Sequence, residues 1–169
     1  MKKIKISVRI LVELIMKKGS IDNRFVGNRK AIEGIRGHQR VQKSSGDEYT
    51  SEVSIKHTFS FDEIEIEVEG RMDGLLIENN KTIIDEIKTT TKDLLLIDEN
   101  TNPLHWAQVK CYGYMYCIHN GLDNIDLQVT YYNIENKSTR ILRQKFKICE
   151  LEEFFFALIK EYKSWASME

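Results

Sequence analysis

With 169 residues, 41% of them hydrophobic and 30% charged, the chain has the balance of a single folded domain rather than of a disordered polymer. No run reaches the ~20 apolar residues of a membrane span, so no membrane partner is expected. The three cysteines make an odd set, which argues against a disulfide framework. The net charge of −1 hides an asymmetry: residues 1–45 carry a net +9, residues 46–100 a net −10, and residues 101–169 balance. Such a division fits two solvated faces. It also fits a track for a polyanion beside a carboxylate-rich pocket that attracts metal.

The opening MKKIKISVRILVELIMKKG is interrupted by Arg9, Glu13, Lys17 and Lys18, and no small-residue cleavage site follows it. It therefore reads as an amphipathic helix of a cytoplasmic protein and not as a leader. The helix is expected over 7–18, with Ser7 as cap, Val8, Leu11, Leu14 and Ile15 on one face, and Gly19 as stop. A second helix is expected over 28–44, where Ala31, Gly34, Ile35, His38 and Val41 form a stripe that turns Glu33, Gly34 and His38 inward.

Strands follow. Val53, Ile55, His57 and Phe59 alternate with polar residues. Ile64, Ile66 and Val68 alternate with Glu63, Glu65, Glu67 and Glu69, in a strand that continues through Asp73 to Ile77. Asn79-Asn80 makes a turn, and 82–89 returns. A third helix is expected over 103–119, with Asn102 as cap, Pro103 at the first position and Asn120-Gly121 as stop. Strands 125–134 and 139–148 and a helix over 150–168 complete an α-α-β-β-β-α-β-β-α order, a mixed sheet flanked by helices.

The strand Thr82–Thr89 reads TIIDEIKT. Its isoleucines occupy both faces, as in a central strand, and such a strand holds Asp85, Glu86 and Lys88 only for a reason, because burying an unpaired charge is costly. Glu86 and Lys88 share a face and Asp85 takes the other. Pairing through the Asn79-Asn80 turn brings Asp73 toward Glu86. Two carboxylates with an adjacent lysine suit Mg²⁺, the lysine positioning or deprotonating a metal-bound water; an ordinary Glu86–Lys88 ion pair is the alternative. On the following helix Gln108 and Tyr112 lie at i and i+4, on one face. They suit holding a phosphate or orienting a side chain, and equally a rim amide and a core aromatic.

Taken together, Asp73, Glu86-Ile87-Lys88, Gln108-Val109-Lys110-Cys111-Tyr112 and Gly34-Ile35-Arg36-Gly37-His38 resemble, in order and in element, the motifs of the PD-(D/E)xK nucleases and of their RecB-like branch. The opening and the segment around Glu33-Gly34-Ile35-Arg36-Gly37-His38 also resemble nuclease domains fused to XPD/DinG-type DNA helicases of anaerobic bacteria. The resemblance implies one α/β domain over 1–169 with a restriction-endonuclease-like αβββαβ core at 28–134. It implies a metal-dependent deoxyribonuclease, an exonuclease of repair or recombination acting with a fused or associated helicase on single-stranded or frayed DNA. Asp73 and Glu86 would hold Mg²⁺ or Mn²⁺ with the Ile87 carbonyl and His38; Lys88 would act on the attacking water; Gln108 and Tyr112 would orient Lys88 or the backbone of the DNA. Arg36, Arg40 and Lys92 would meet the DNA, within a basic segment that includes Lys17, Lys18, Arg29 and Lys30. Glu33 would assist through a metal-bound water. With Cys111, Cys117 and Cys149 alone, no iron–sulfur cluster and no zinc site is expected. A nuclease-like module that binds DNA or a helicase without cutting is the alternative. A restriction-type enzyme would share the site, but no added specificity domain is visible.

Overall fold

A computed structural model describes residues 2–16, 28–46 and 48–167, the side chains of 28–31 and 167 excepted. The chain runs β1 (Lys2–Ser7), α1 (Val8–Met16), α2 (Asn28–Ser44), β2 (Tyr49–Phe61), β3 (Ile64–Glu78), β4 (Lys81–Thr90), a single 3-10 turn at Leu94–Leu96, α3 (Pro103–Asn120), β5 (Asn124–Asn133), β6 (Thr139–Lys147) and α4 (Ile148–Ser167). This is a restriction-endonuclease-like α/β fold, a six-stranded mixed sheet flanked by four helices.

Most helix ends and turns fall at the residues expected of them, but the inner face of α1 is Val8, Leu11, Val12 and Ile15, with Leu14 42% exposed. α2 spans 28–44 as its periodicity requires, and α1 opens on the Ser7 hydroxyl, which accepts the Ile10 N–H at 3.1 Å. Asn79 and Asn80 both adopt positive φ, 51° and 64°, as a two-residue hairpin turn demands. α3 ends on Gly121 in the left-handed region, with φ 62°. Asn102 precedes α3 but makes no side-chain cap hydrogen bond; Pro103, which has no N–H to satisfy, sits at the start instead. The stop foreseen at Gly19 lies outside the described residues.

Two further expectations are corrected. Residues 2–7 are a strand rather than the approach to a helix, so the order begins with β. The hexapeptide KKIKIS alternates, but its partner lies some sixty residues away: β1 pairs in parallel with β3, Ile4 against Ile66 and Ile6 against Val68. The stripe on α2 is also shifted. Ile35 is 60% exposed, whereas Gly37 is buried against the Tyr132 ring and the half-buried Gly34 packs against Thr89. A Cβ on Gly37 would stand 2.8 Å from Tyr132, so the missing side chain is what lets α2 lie close to β4 and β5.

The topology creates a gap. β2 pairs along one edge of β3 from Tyr49–Leu76 to Phe61–Ile64. The other edge is divided: β1 takes Ile64–Glu69 and β4 takes Gly74–Glu78. Residues 70–73 of β3 thus face a fork between the end of β1 and the continuation of β4. From Ile83 onward β4 pairs in parallel with β5, and β5 is antiparallel to β6. α3, with Trp106, Val109, Cys111, Tyr112 and Met115 buried, lies between the sheet and the helices α1 and α4, and the main apolar core surrounds it.

Candidate active site

The fork gathers the residues that the motifs singled out. Past the Gly74–Asp85 pair, β3 and β4 no longer form a ladder, and Asp73 takes over the linkage: its Oδ2 accepts the Ile87 N–H at 2.7 Å. Its Oδ1 lies 3.7 Å from His38 Nδ1. Its backbone carbonyl accepts from Gln42 Nε2 at 2.9 Å, and the same amide nitrogen reaches Glu52 Oε1 at 2.9 Å. Two successive turns of α2 therefore hold Asp73, His38 by its side chain and Gln42 by its main chain. Gln42 was not foreseen, although its i+4 spacing from His38 places it on the same helical face.

Glu86 is 6% exposed and lies close enough to Asp73 for the two carboxylates to repel each other when both are ionised. Burial raises its carboxyl well above the ordinary range and the neighbouring Asp73 charge raises it further, against the opposing pull of Lys88. Lys88 Nζ lies 3.5 Å from Glu86 Oε1, so the ion pair expected from alternation is present. It satisfies only one oxygen: Glu86 Oε2 is fully buried and has no hydrogen-bond partner. The Oε1 of Gln108 on α3 is in the same condition. Tyr112, one helical turn on, is 6% exposed and lies against Gly70, where an added Cβ would stand 2.6 Å from its ring. Burial, and then the charges of Glu86 and Asp73, push the Tyr112 phenol far up. A glycine at position 70 is what admits this ring beneath the fork.

Asp85, adjacent in sequence, turns away from Glu86 into a different environment. Its Oδ2 accepts from the Tyr49 hydroxyl at 2.7 Å and its Oδ1 from the Thr130 hydroxyl at 2.6 Å. Tyr49 reaches it across Gly74, where a Cβ would sit 1.8 Å from the phenol oxygen. This strut joins β2, β4 and β5 directly behind the fork. Tyr49 and Thr130 carried no motif signal, and only the placement of an acid on a central strand hinted at partners for Asp85.

The remaining expected residues are more peripheral. Arg36 and Arg40 are exposed on α2, Arg40 Nη1 standing 3.5 Å from the Tyr132 hydroxyl. Lys92 is exposed beyond β4; its N–H donates to Thr90 Oγ1, and its carbonyl accepts from Asn133 Nδ2. Glu33 is half-buried on α2. Lys17 and Lys18 lie outside the described residues, as do the side chains of Arg29 and Lys30. Part of the basic N-terminal segment does neutralise the glutamate-rich strand, Lys3 Nζ lying 3.8 Å from Glu65 and Lys5 Nζ 3.6 Å from Glu67.

Comparison with known proteins separates fold from sequence. No family model and no curated protein matches the sequence. Among solved structures, the protein SSO0001 superposes with a TM-score of 0.58 at 19% identity, over 92% of this chain and 75% of that one. The alkaline exonuclease LHK-Exo from Laribacter hongkongensis superposes with a TM-score of 0.51 at 14% identity, over 97% of this chain and 90% of that one. The fold is nuclease-like. Among the described residues no helix is long and apolar enough to cross a membrane.

Whether the fork suits a divalent ion is answered by its donors. Among the described residues no three His, Cys, Asp or Glu side chains converge as a ready-made cage. The available set is two neighbouring carboxylates, one carrying a buried oxygen without a partner, beside a lysine. Hard oxygens in small number fit an ion such as Mg²⁺, which keeps several waters and takes further oxygens from a phosphate substrate.

Proposed function

We propose that the chain is a divalent-metal-dependent deoxyribonuclease of the PD-(D/E)xK type, RecB-like in its use of a helix histidine and of Gln108 and Tyr112. The single observation that carries this reading is Glu86. A buried carboxylate beside a second carboxylate, with one oxygen unpartnered, is costly in its ionised form, and a bound divalent cation would offset that cost.

In this reading Asp73 and Glu86 hold Mg²⁺ or Mn²⁺, with the Ile87 carbonyl and His38 as further donors. The bound ion supplies Lewis acidity toward a phosphoryl oxygen and a water of lowered pKa. Lys88, tethered to Glu86 Oε1, presents its ammonium where the nucleophile and the phosphate oxygens meet, and stabilises the negative charge that develops there. Gln108 offers an amide whose oxygen is free to receive Lys88 or a water. Tyr112 closes the floor of the fork over Gly70 and excludes solvent. The Asp73–Ile87 hydrogen bond orients the first carboxylate and fixes the spacing of the two strands. Arg36, Arg40 and Lys92 contact the DNA backbone, with single-stranded or frayed ends as substrate. An exonuclease working beside a fused or associated helicase in repair or recombination is the setting that suits such a module.

The experiment is a digestion series on end-labelled single-stranded and duplex DNA with Mn²⁺ or Mg²⁺, run with the wild type, Asp73→Asn and Glu86→Gln. Metal-dependent cleavage by the wild type and its loss in both variants is expected. Equal cleavage by all three would overturn the assignment. DNA binding in Ca²⁺ without cleavage in any metal would identify a non-cleaving module instead.

A further inference from the structure

On a part of the molecule that the fork does not use, two imidazoles meet. His57 lies on β2 and His119 in the last turn of α3. His57 Nδ1 and His119 Nε2 are 3.1 Å apart, with ring centroids separated by 5.3 Å and planes inclined at 46°. The Phe59 ring packs edge-on against His57 at 4.6 Å and limits its rotation. The contact is solvent-accessible.

A ring-nitrogen separation of this size has two physical origins. One is an N–H···N hydrogen bond between neutral rings. The other is two lone pairs converging on one cation. Borderline divalent ions bind imidazole nitrogen at about 2.0–2.1 Å, so two nitrogens on one ion stand about 3.3 Å apart at the tetrahedral angle and about 2.9 Å apart at a right angle. The observed 3.1 Å lies between these two values, so the two ring nitrogens already stand at the spacing that one shared ion requires.

We propose that His57 and His119 form a two-imidazole site for a borderline divalent cation of the Zn²⁺, Ni²⁺ or Cu²⁺ class, its remaining positions filled by water. Imidazole favours these ions over Mg²⁺, so this site and the carboxylate fork select different metals. The clamp joins β2, which carries Tyr49, to the helix that carries Gln108 and Tyr112, and its occupancy stiffens that pairing. The proposal is independent of the nuclease reading, because neither histidine touches the fork.

Thermal unfolding of the full chain tests it, in excess Mg²⁺ and with Cys149→Ser to remove the exposed thiol. Free Zn²⁺ at 100 times its dissociation constant should raise Tm by roughly 5–10 °C. That shift should vanish in His57→Gln and in His119→Gln alike. On the protein carrying both histidines, the electron paramagnetic resonance spectrum of bound Cu²⁺ should show coupling to two imidazole nitrogens. This readout decides the matter even if a glutamine variant unfolds. A Zn²⁺ shift that survives in either single variant, no saturable shift, or coupling to fewer than two nitrogens would each overturn the site.

Discussion

Asp85 and Glu86 are neighbours on one strand, both acidic and both almost wholly buried, 1% and 6% exposed, yet they are held in opposite ways. Asp85 is saturated: a hydroxyl donates to each of its oxygens, from Tyr49 at 2.7 Å and from Thr130 at 2.6 Å. Glu86 is not saturated. One oxygen has Lys88 at 3.5 Å, the other has no partner, and the charge of a second acid, Asp73, acts on the group. A buried acid with a donor on each oxygen is an internal strut. On the proposed reading, a buried acid left incomplete beside another acid keeps a position open for the ion, at a cost in stability.

The largest expected effects break the comparison on the open side. Glu86→Gln and Asp73→Asn should each reduce metal-dependent cleavage by roughly 100- to 1000-fold or more, the scale of losing a group that stabilises transition-state charge. Metal-free Tm should be unchanged or higher, because the like-charge repulsion is gone. Lys88→Met should cost about 100-fold or more in kcat while leaving Mn²⁺ affinity within a few-fold of the wild type, read from a metal titration followed by fluorescence.

On the saturated side the readout inverts. Asp85→Ala orphans the Tyr49 and Thr130 hydroxyls and should destabilise by about 1–3 kcal/mol for each group left unpaired and buried. Each kcal/mol lowers Tm by roughly 2–4 °C for a chain of this size. Cleavage measured well below the new Tm should fall far less than in Glu86→Gln. If Asp85→Ala folds normally and is as inactive as Glu86→Gln, the division between strut and site is wrong.

A pH series sharpens the same contrast. Both carboxyls are raised in the folded chain, Glu86 strongly, with burial the first cause for each. An acid whose folded pKa exceeds its unfolded value is stabilising below the unfolded pKa, and that contribution disappears as pH rises through the folded pKa. Without metal, chemical denaturation should therefore show stability falling from about pH 4.5 toward neutrality. Glu86→Gln should flatten much of this slope, and Mg²⁺ should offset it in the wild type alone.

The smallest effect lies outside both acids. Reversing Arg36 and Arg40 to Glu should weaken DNA binding several-fold at low salt, by about the same factor for every sequence, with metal affinity unchanged. Fluorescence anisotropy in Ca²⁺ checks it. Unchanged affinity would move the DNA track elsewhere, with Arg140, Arg143, Lys145 and Lys147 the next group to reverse.

What the sequence determined by itself was whatever a short period encodes. Alternation put Glu86 and Lys88 on one face and Asp85 on the other; the i, i+4 step put Gln108 and Tyr112 together; two asparagines suited to positive φ turned β3 back so that Asp73 approaches Glu86. Tertiary structure decided what depends on segments meeting from far along the chain. That residues 2–7 are a strand is settled by their parallel pairing with β3, and the fork exists because β1 and β4 share one edge of that strand. The register that places Tyr49 and Thr130 on Asp85, Gln42 on the Asp73 carbonyl and His57 beside His119 leaves no local trace. A hydrogen bond between distant residues is set by how elements approach, and local periodicity carries the face of a residue but not its partner.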